Sequence, residues 1–196
     1  MMRIEALWVA LAISMAAVAQ EKPSNVKANE GATVSQLARQ SSEAAMRRLI
    51  HAFAGSWATS EVFDTSAEMP KGGNGSGRVS YRPGPGGQCL IEEYRSTGSS
   101  GEYSGLGIIW WDEHAQGYIT TWCESSPQGC RILSTPGKWE ENSLVLLDQS
   151  EVEGQKVTTR ETFSDITPTS FVQTLGTIMP DGTFKRLVTI KNTRQP

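Results

Sequence analysis

The 196-residue sequence has only two histidines, His51 and His114, and neither has a second metal-ligating side chain at a useful spacing. His51 falls in a predicted helix and His114 in a predicted turn, so no predicted strand carries a histidine. A metal or haem site inside a β-sheet protein would need such residues. We therefore expect no metal and no cofactor.

The sequence also lacks an excess of positive charge. It carries 18 Lys and Arg against 21 Asp and Glu, with a pI near 5.5. Proteins that bind nucleic acid or an anionic membrane surface electrostatically present a clear basic excess. Neither partner is expected for this chain.

Common signatures of nucleophilic catalysis are missing as well. The sequence has no Gly-x-Ser-x-Gly motif, and no Ser or Cys has a histidine nearby that could activate it. The glycine-rich tract 72–77 follows a predicted strand but opens no helix, which argues against a phosphate-binding loop. A mobile loop is the expected structure for this tract.

Long hydrophobic runs are absent except near the start, and that one is short. The apolar run 6–18 has 13 residues, whereas a membrane-spanning helix needs about 20. Ala17 and Ala19 precede Gln20, and small residues at these two positions are typical of a signal-peptidase site. We expect residues 1–19 to be a signal peptide, and the mature chain to be secreted or periplasmic without an integral membrane segment.

A linker and one amphipathic helix are expected next. Residues 20–34 carry Pro23 and Gly31 and show no apolar period, so we expect a disordered linker. Within residues 35–53 the apolar side chains recur at helical spacing, at Met46, Leu49, Ile50 and Phe53. This spacing predicts a helix that packs against the rest of the domain.

The sequence has three cysteines, and export would carry them into an oxidising compartment where disulfides persist. Cys123 and Cys130 bracket a turn-rich stretch, so a hairpin can bring them within bonding distance. We expect these two to form a disulfide. Cys89 then remains as a buried free thiol, since a lone cysteine usually packs as a small hydrophobe. An intermolecular disulfide through Cys89 stays open.

From Trp57 onward the sequence consists of short β-rich runs separated by turn residues such as Pro136-Gly137. The predicted strands cover residues 56–64, 77–83, 88–97, 102–112, 117–124, 129–135, 142–149, 155–165, 169–179 and 183–193. Short connections force sequential antiparallel pairing, and closure removes the exposed edges of a long meander. We therefore expect an all-β fold, an antiparallel up-and-down barrel of about ten strands with one N-terminal α-helix. Residues 35–196 would form this single domain.

Gly55-Ser56-Trp57 stands at the junction of the predicted helix and first strand. It resembles the Gly-x-Trp signature that opens the first strand of lipocalins and related calycin barrels. The resemblance implies a lipocalin-like barrel in which Trp57 closes one end. In those families a basic residue of the last strand lies over the tryptophan ring, and Arg194 is placed to do so here. Both residues would then be structural.

A larger part of the chain, residues 49–194, resembles a bacterial family of unknown function, number 1579, for which a lipocalin-like barrel is proposed. The matching segments are 53–57, 87–94, 103–107, 111–112, 118–122, 180–182 and 193–194. The sequence departs from the family where Cys123 replaces the usual aspartate, and where Trp111 replaces a common tyrosine. Because the family has no established activity, the resemblance implies a fold more than a function.

Aromatic side chains are concentrated in the central predicted strands. Core packing is the default explanation for each, but aromatic walls would also suit an apolar or planar ligand. The candidate ligand-binding aromatics are Tyr94, Trp110, Tyr118 and Trp122. Trp110 and Trp122 could share the lumen as walls for such a ligand.

Charged residues within the predicted strands are expected mostly to face solvent, because an inward charge needs a partner or a ligand. They are Glu61, Glu92, Arg160, Glu161 and Arg186. Glu92 and Glu93 are adjacent, so one of them must point inward. If it is Glu92, then Arg160 or Arg186 is the expected partner, and such a pair could orient the polar head of a ligand. Glu92 and Arg160 therefore join the candidate ligand-binding residues, and no catalytic residue is assigned.

Three functions fit these features. A binding barrel would hold a small, largely apolar ligand between the central aromatics in a continuous cavity. A barrel enzyme, an isomerase or a hydrolase, would use an inward carboxylate such as Glu92 beside Arg160. An envelope-associated interaction module would combine a filled lumen with an exposed apolar patch. The sequence favours the first function and does not identify the ligand.

Overall fold

A computed structural model describes residues 26–66, 69–99, 101–127, 129–152 and 155–196, with the backbone alone for residues 26–38, 152 and 155. The signal peptide predicted for residues 1–19 lies outside these ranges. Within them, no helix combines the length and the apolar character needed to cross a bilayer.

One long helix precedes the strands. Helix α1 spans Val26–Phe53, so it begins before the predicted residue 35 and inside the segment expected to be a linker. The strands are β1 (Gly55–Phe63), β2 (Gly73–Pro83), β3 (Leu90–Gly98), β4 (Gly101–Asp112), β5 (Gly117–Glu124), β6 (Cys130–Ile132), β7 (Thr135–Glu140), β8 (Ser143–Val152), β9 (Gln155–Ser164), β10 (Ser170–Ile178) and β11 (Phe184–Arg194). A short 3₁₀ turn, Pro85–Gly87, lies between β2 and β3.

The strands form one antiparallel sheet that closes on itself. The order around the sheet is β4, β3, β2, β1, β11, β10, β9, β8, β7 and β5, and β5 pairs back with β4. Strands β6 and β7 both pair with β5, so together they fill one position in the sheet. The fold is therefore the closed ten-stranded antiparallel barrel with one N-terminal helix that the sequence predicted.

One predicted turn is part of a strand. Pro136 and Gly137 lie inside β7, where the pairing with β8 shifts register between Thr135 and Lys138. Proline cannot donate a ladder hydrogen bond, and an irregularity of this kind accommodates it within a strand. The chain instead turns at Glu141, which adopts a φ of 54°.

The glycine-rich tract is mostly strand as well, which corrects the expected mobile loop. Residues 73–77 begin β2 and pair with β1, and from Gly75 onward also with β3. Their small size is needed because neighbours approach closely. A Cβ at Gly75 would lie 2.5 Å from a carboxylate oxygen of Glu61, and one at Gly77 would overlap the backbone of Arg95. Glycine within this strand marks close approach rather than a turn.

Helix α1 closes one end of the barrel, and that end is packed with large side chains. The buried core there includes Met46, Leu49, Phe53, Trp57, Tyr81, Phe163 and Phe171. Phe53 makes edge-on contacts with Phe163 and Phe171, each with ring centroids 5.2 Å apart. Such contacts add to the stabilisation from burial alone. The lumen is therefore sealed on this side.

Trp57 and Arg194 form the contact that the Gly-x-Trp resemblance implied. The indole of Trp57 is fully buried and donates a hydrogen bond to the carbonyl of Phe53 at 2.8 Å. The guanidinium of Arg194 lies 4.1 Å from the centre of the Trp57 ring and donates to the carbonyl of Ala54 at 2.9 Å. Gly55 has a φ of 137°, and a Cβ there would overlap the Arg194 guanidinium, so only glycine fits.

Polar contacts fasten the helix to the turns at this end. The hydroxyl of Tyr118 donates to the carbonyl of Ala45 at 2.9 Å. Arg48 donates to the carbonyl of Glu141 at 2.8 Å, and its guanidinium lies 4.0 Å from the centre of the Trp139 ring. The helix thus caps the barrel end instead of covering the outer face of a strand.

Candidate functional site

The half of the lumen away from the helix contains a cavity of about 330 Å³. Its size lies near the lower end of the range of about 300–1,000 Å³ for small-molecule pockets. Most of the wall is apolar or aromatic, and the aliphatic part is formed by Leu133, Leu146, Leu175, Val188 and Ile190. The lining residues lie toward the turns that join β1 to β2, β3 to β4 and β5 to β6, so the cavity occupies the end opposite the helix.

Strand alternation explains why polar residues line this cavity. In β1 the residues at 57, 59, 61 and 63 face inward, because successive side chains of a strand point to opposite faces. Trp57 lies near the helix and belongs to the packed end, whereas Glu61 and Phe63 reach the cavity. Strand β1 therefore contributes to the hydrophobic core at one end of the barrel and to the polar part of the cavity wall at the other.

Glu92, in β3, is the most perturbed carboxyl group of the cavity. It is 6% exposed, and its Oε1 accepts a hydrogen bond from the hydroxyl of Tyr81 at 3.0 Å. Burial, followed by repulsion from the charge of Glu161, raises the pKa of Glu92 to about 8, although the Tyr81 hydrogen bond opposes the shift. Glu92 is therefore mostly protonated at neutral pH.

Two more carboxyl groups, one buried and one half-buried, face the same space. Glu61 is 3% exposed and accepts a hydrogen bond of 2.5 Å from the hydroxyl of Tyr94. Glu161, in β9, accepts from the side-chain amide of Gln173. Burial raises the pKa of Glu161 above its usual value, against the opposing effects of the Gln173 hydrogen bond and the charge of Arg131.

The mouth of the cavity carries a connected polar network around Glu124. Its carboxylate accepts from the hydroxyl of Tyr103 at 2.7 Å and from Nε1 of Trp122 at 2.8 Å. Arg131 lies 3.4 Å from Glu124 and 3.3 Å from Asp148. Burial disfavours the charged form of Glu124, but the hydrogen bonds to it and the charge of Arg131 hold its pKa below the usual value.

The cavity wall as a whole is acidic. It contains four glutamates and one arginine, and that arginine already contacts two carboxylates. Among the described residues, Glu61, Glu92 and Glu161 have no salt bridge to a basic group. The interior carboxyls thus rely on tyrosine and amide hydrogen bonds, and only Glu161 also responds to the charge of Arg131.

Three of the six predicted ligand-binding residues line the cavity. They are Glu92, Tyr94 and Trp122. Tyr118 does not line it, because its side chain lies at the helix-capped end, where it packs edge-on against Trp111. The expected Glu92–Arg160 pair does not exist. Arg160 alternates with the inward Glu161, faces outward and pairs with Glu140 at 2.9 Å.

Arg186, the other expected partner of Glu92, is also on the outside, where it pairs with Asp64 at 2.5 Å. The carboxyl group that does approach Glu92 is Glu161, which the sequence suggested would face solvent. Alternation could have located it, since Glu161 is two residues from the core residue Phe163.

Trp110 is on the outer face of β4, which corrects the expectation that it shares the lumen with Trp122. The inward positions of β4 include Gly105 and Gly107, and the larger Leu106 and Ile108 are 42% and 37% exposed. The adjacent strand β5 explains why glycines occupy the inner face of β4. A Cβ at Gly105 would overlap the ring of Trp122, so glycine on the inner face makes room for that indole.

The outer faces of β5 and β6 are joined by the disulfide Cys123–Cys130, with Cα atoms 3.9 Å apart. This disulfide connects the two strands that carry Glu124 and Arg131 at the cavity mouth. Cys89 is free and half-buried.

The barrel, from helix to last strand, matches a known family. The family described as "Protein of unknown function (DUF1579)" covers residues 42–194. The chain belongs to this family. The family description assigns no activity, and no curated protein matches the sequence.

Solved structures resemble this chain at low sequence identity. Rv2717c from M. tuberculosis is 11% identical with a TM-score of 0.52, and the match covers 77% of this chain and 98% of that chain. A redesigned β-barrel, mFAP0, bound to DFHBI, is 14% identical with a TM-score of 0.40, covering 72% and 98%. A fluorescence-activating β-barrel designed de novo is 16% identical with a TM-score of 0.39, covering 74% and 94%. The similarity to Rv2717c supports the fold, and none of these similarities identifies a ligand for this chain.

Proposed function

We propose that the protein is an exported barrel that binds a small, largely apolar ligand. The observation that carries this proposal is the cavity of about 330 Å³ at the open end of the lumen, walled by aliphatic and aromatic side chains. Voids and buried polar groups both reduce stability. A barrel that served only as a scaffold would be expected to fill its lumen throughout, as the helix-capped end does.

Export is supported by two features of the chain. The sequence of residues 1–19 has the apolar run and small-residue cleavage site of a signal peptide. The disulfide Cys123–Cys130 is of a kind that persists in an oxidising compartment. Secretion into the periplasm or the extracellular space agrees with both.

The cavity can be tested with ligands and one blocking substitution. Trp122 lines the cavity, so its fluorescence should respond when neutral lipophilic compounds such as 1-octanol or 1-naphthol bind. Leu175→Trp should fill the cavity and abolish the response. Leu106→Trp, the same substitution on an exposed outer-face residue, should leave it intact. If wild-type protein binds no member of a broad lipophilic panel by fluorescence and calorimetry, the proposal is wrong.

Native mass spectrometry offers a second measurement that needs no guess about the ligand. Protein purified from its own host should retain a small molecule, and Leu175→Trp purified in the same way should not. An equal mass excess on both proteins would place the adduct outside the lumen and contradict the proposal.

A second function, acid–base catalysis on a bound molecule, would have to rely on Glu92 without Arg160, which faces outward. A carboxyl group with a pKa of about 8 inside a cavity is suited to move a proton near neutral pH. In that case Glu92→Gln would abolish turnover of a bound compound, while Glu93→Gln on the outer face would not. A compound that leaves the protein chemically unchanged would favour the binding role.

A further inference from the structure

The polar chemistry of the lumen narrows the class of ligand. Glu61 and Glu92 are buried and Glu161 is half-buried; the three lie on different strands and line the same cavity. A barrel that bound only neutral apolar compounds would have no need of three carboxyl groups in its wall, because each costs desolvation free energy. Their presence suggests that the ligand supplies a complementary group.

We propose that the ligand carries an organic cation, an ammonium or amidinium group on an apolar body, and that Glu92 and Glu161 bind this cation. The inference rests on the proposed binding function and specifies its ligand class.

Thr120 provides an independent indication of a polar ligand group. It lies in β5, lines the cavity and is 5% exposed. Its hydroxyl oxygen has no hydrogen-bond partner among the described residues. A buried hydroxyl without a partner is costly. An N–H donor of a bound cation would satisfy it.

The position of Glu92 also suits a cation with an organic body. Oε1 of Glu92 is occupied by Tyr81, whereas Oε2 lies above Gly107. A Cβ at Gly107 would be 3.2 Å from Glu92 Oε2 and 3.2 Å from the ring of Trp122, so the carboxyl group and the indole flank the same glycine. A cation held by Oε2 would therefore lie beside an aromatic surface, where cation–π attraction adds to the charge interaction.

Two other ligand chemistries fit less well. An inorganic cation would need clustered ligands, and the described His, Cys, Asp and Glu side chains form no group of three or more arranged for a metal ion. An anion would meet an acidic wall in which the one lining arginine, Arg131, is already shared by Glu124 and Asp148. The cavity therefore favours an organic cation.

Protonation explains how the lumen tolerates Glu92 without a cation. With its pKa raised to about 8, Glu92 is mostly neutral at pH 7. A bound cation would favour the ionised form, so binding would be accompanied by proton release. This arrangement avoids an unpaired buried charge when the ligand is absent.

The test compares three probes that share one eight-carbon chain: n-octylammonium, 1-octanol and octanoate. We expect calorimetry on the wild-type protein at pH 7 to show the ammonium binding at least tenfold tighter than the alcohol, with octanoate the weakest. Glu92→Gln and Glu161→Gln should each weaken ammonium binding about tenfold while leaving octanol affinity unchanged. Glu93→Gln is the matched control, because it makes the same carboxyl-to-amide change at the neighbouring outward residue, whose side chain is 52% exposed.

The outcomes separate this inference from the function on which it rests. If octanol or octanoate binds as tightly as octylammonium, the cation inference is overturned and the binding barrel stands. If none of the three probes nor any other lipophilic compound binds, both proposals fail. Unchanged ammonium affinity in both Glu→Gln variants, with native near-ultraviolet circular dichroism, would also overturn the cation site.

Discussion

The same strands form a closely packed core at one end of the barrel and a polar cavity at the other. At the helix-capped end, Phe53, Trp57 and Phe171 are at most 1% exposed and pack ring against ring. At the open end, the inward positions of the same sheet carry carboxyl groups, tyrosines and a cavity. One end therefore carries most of the packing stability, and the other retains polar groups and empty space that lower stability.

The change from packed core to polar cavity wall occurs within a few residues of each strand. In β1, Trp57 and Glu61 face the same lumen two inward positions apart. In β3, the inward residues run from Leu90 in the core to Glu92 and Tyr94 at the cavity. Stability and binding should therefore be separable by substitution.

The largest effect should come from the pH dependence of the open end. Because the pKa of Glu92 is raised from 4.5 to about 8, the folded state retains a proton that the unfolded state loses in this range. This contribution is complete below about pH 4.5 and is lost as the pH rises through about 8. The free energy of unfolding should fall with rising pH by at most about 5 kcal/mol more in the wild type than in Glu92→Gln.

Urea denaturation at several pH values would measure this difference. The charged and titratable residues that line the cavity around Glu92 are Glu61, Tyr94, Tyr103, Glu124, Arg131 and Glu161, and Tyr81 contacts it. These residues are present in both the wild type and Glu92→Gln. Comparing the two proteins therefore removes the direct contribution of these residues to the pH dependence of the free energy of unfolding. Parallel pH profiles for the two proteins would show that Glu92 does not titrate in this range.

A second prediction concerns the packed end. Phe53→Ala should reduce the free energy of unfolding by about 3–5 kcal/mol, because it removes a buried ring from the aromatic core. Phe63→Ala is the matched control at the open end, where the ring is half-buried and borders the cavity. It should cost roughly 1–2 kcal/mol and mainly change ligand affinity. Equal losses of stability would contradict the proposed division between the two ends.

The disulfide should stabilise the open end by a smaller amount. Replacing both Cys123 and Cys130 by serine should cost about 2–3 kcal/mol, the value expected for closing a loop of this length. Hydrogen exchange should increase in β5 and β6 and stay unchanged in the core around Phe53. Cys89→Ser is the control for cysteine substitution itself. Increased exchange throughout α1 would instead mean that the two ends unfold together.

The smallest expected effect is a difference in ligand binding between substitutions at Gly105 and at Gly107, two inward glycines of β4. Gly105→Ala should displace the indole of Trp122 and weaken ligand binding about tenfold, or about 1.4 kcal/mol. Gly107→Ala adds the same methyl group at a distance of 3.2 Å from its neighbours, so its effect should be clearly smaller. Calorimetry with the best-bound probe would compare them. If Gly107→Ala is the more harmful substitution, the indole does not depend on the space above Gly105.

The sequence predicted the barrel because its main signals are local. Turn residues, alternating strands and the Gly55-Ser56-Trp57 signature each report on nearby backbone, and together they indicate a closed antiparallel sheet. The structure bears out the barrel and its helix. Pro136 was misleading because a proline can lie inside a strand at an irregularity, and only the pairing with β8 reveals this.

The site was harder to predict because it depends on which face each strand turns inward. Trp110 is larger and more apolar than Gly107, yet Gly107 is the inward residue, since Trp122 of the next strand occupies the space beside it. Glu161 reaches the lumen in the same way, by its register with Phe163. A single sequence shows that side chains alternate along each strand. It does not show which alternate set faces the lumen, because the adjacent strand decides this.

The antiparallel pairing of β1 with β11 affects how the protein folds. These strands pair along their length, from Trp57 with Arg194 to Phe63 with Val188, and so join the two ends of the barrel sequence. Pairing between such distant segments makes folding slow compared with proteins dominated by local contacts. The ring of strands can close only after the last of them has been synthesised. A chain truncated before β11 should consequently form no closed barrel and no enclosed cavity, even though α1 and the first hairpins are complete.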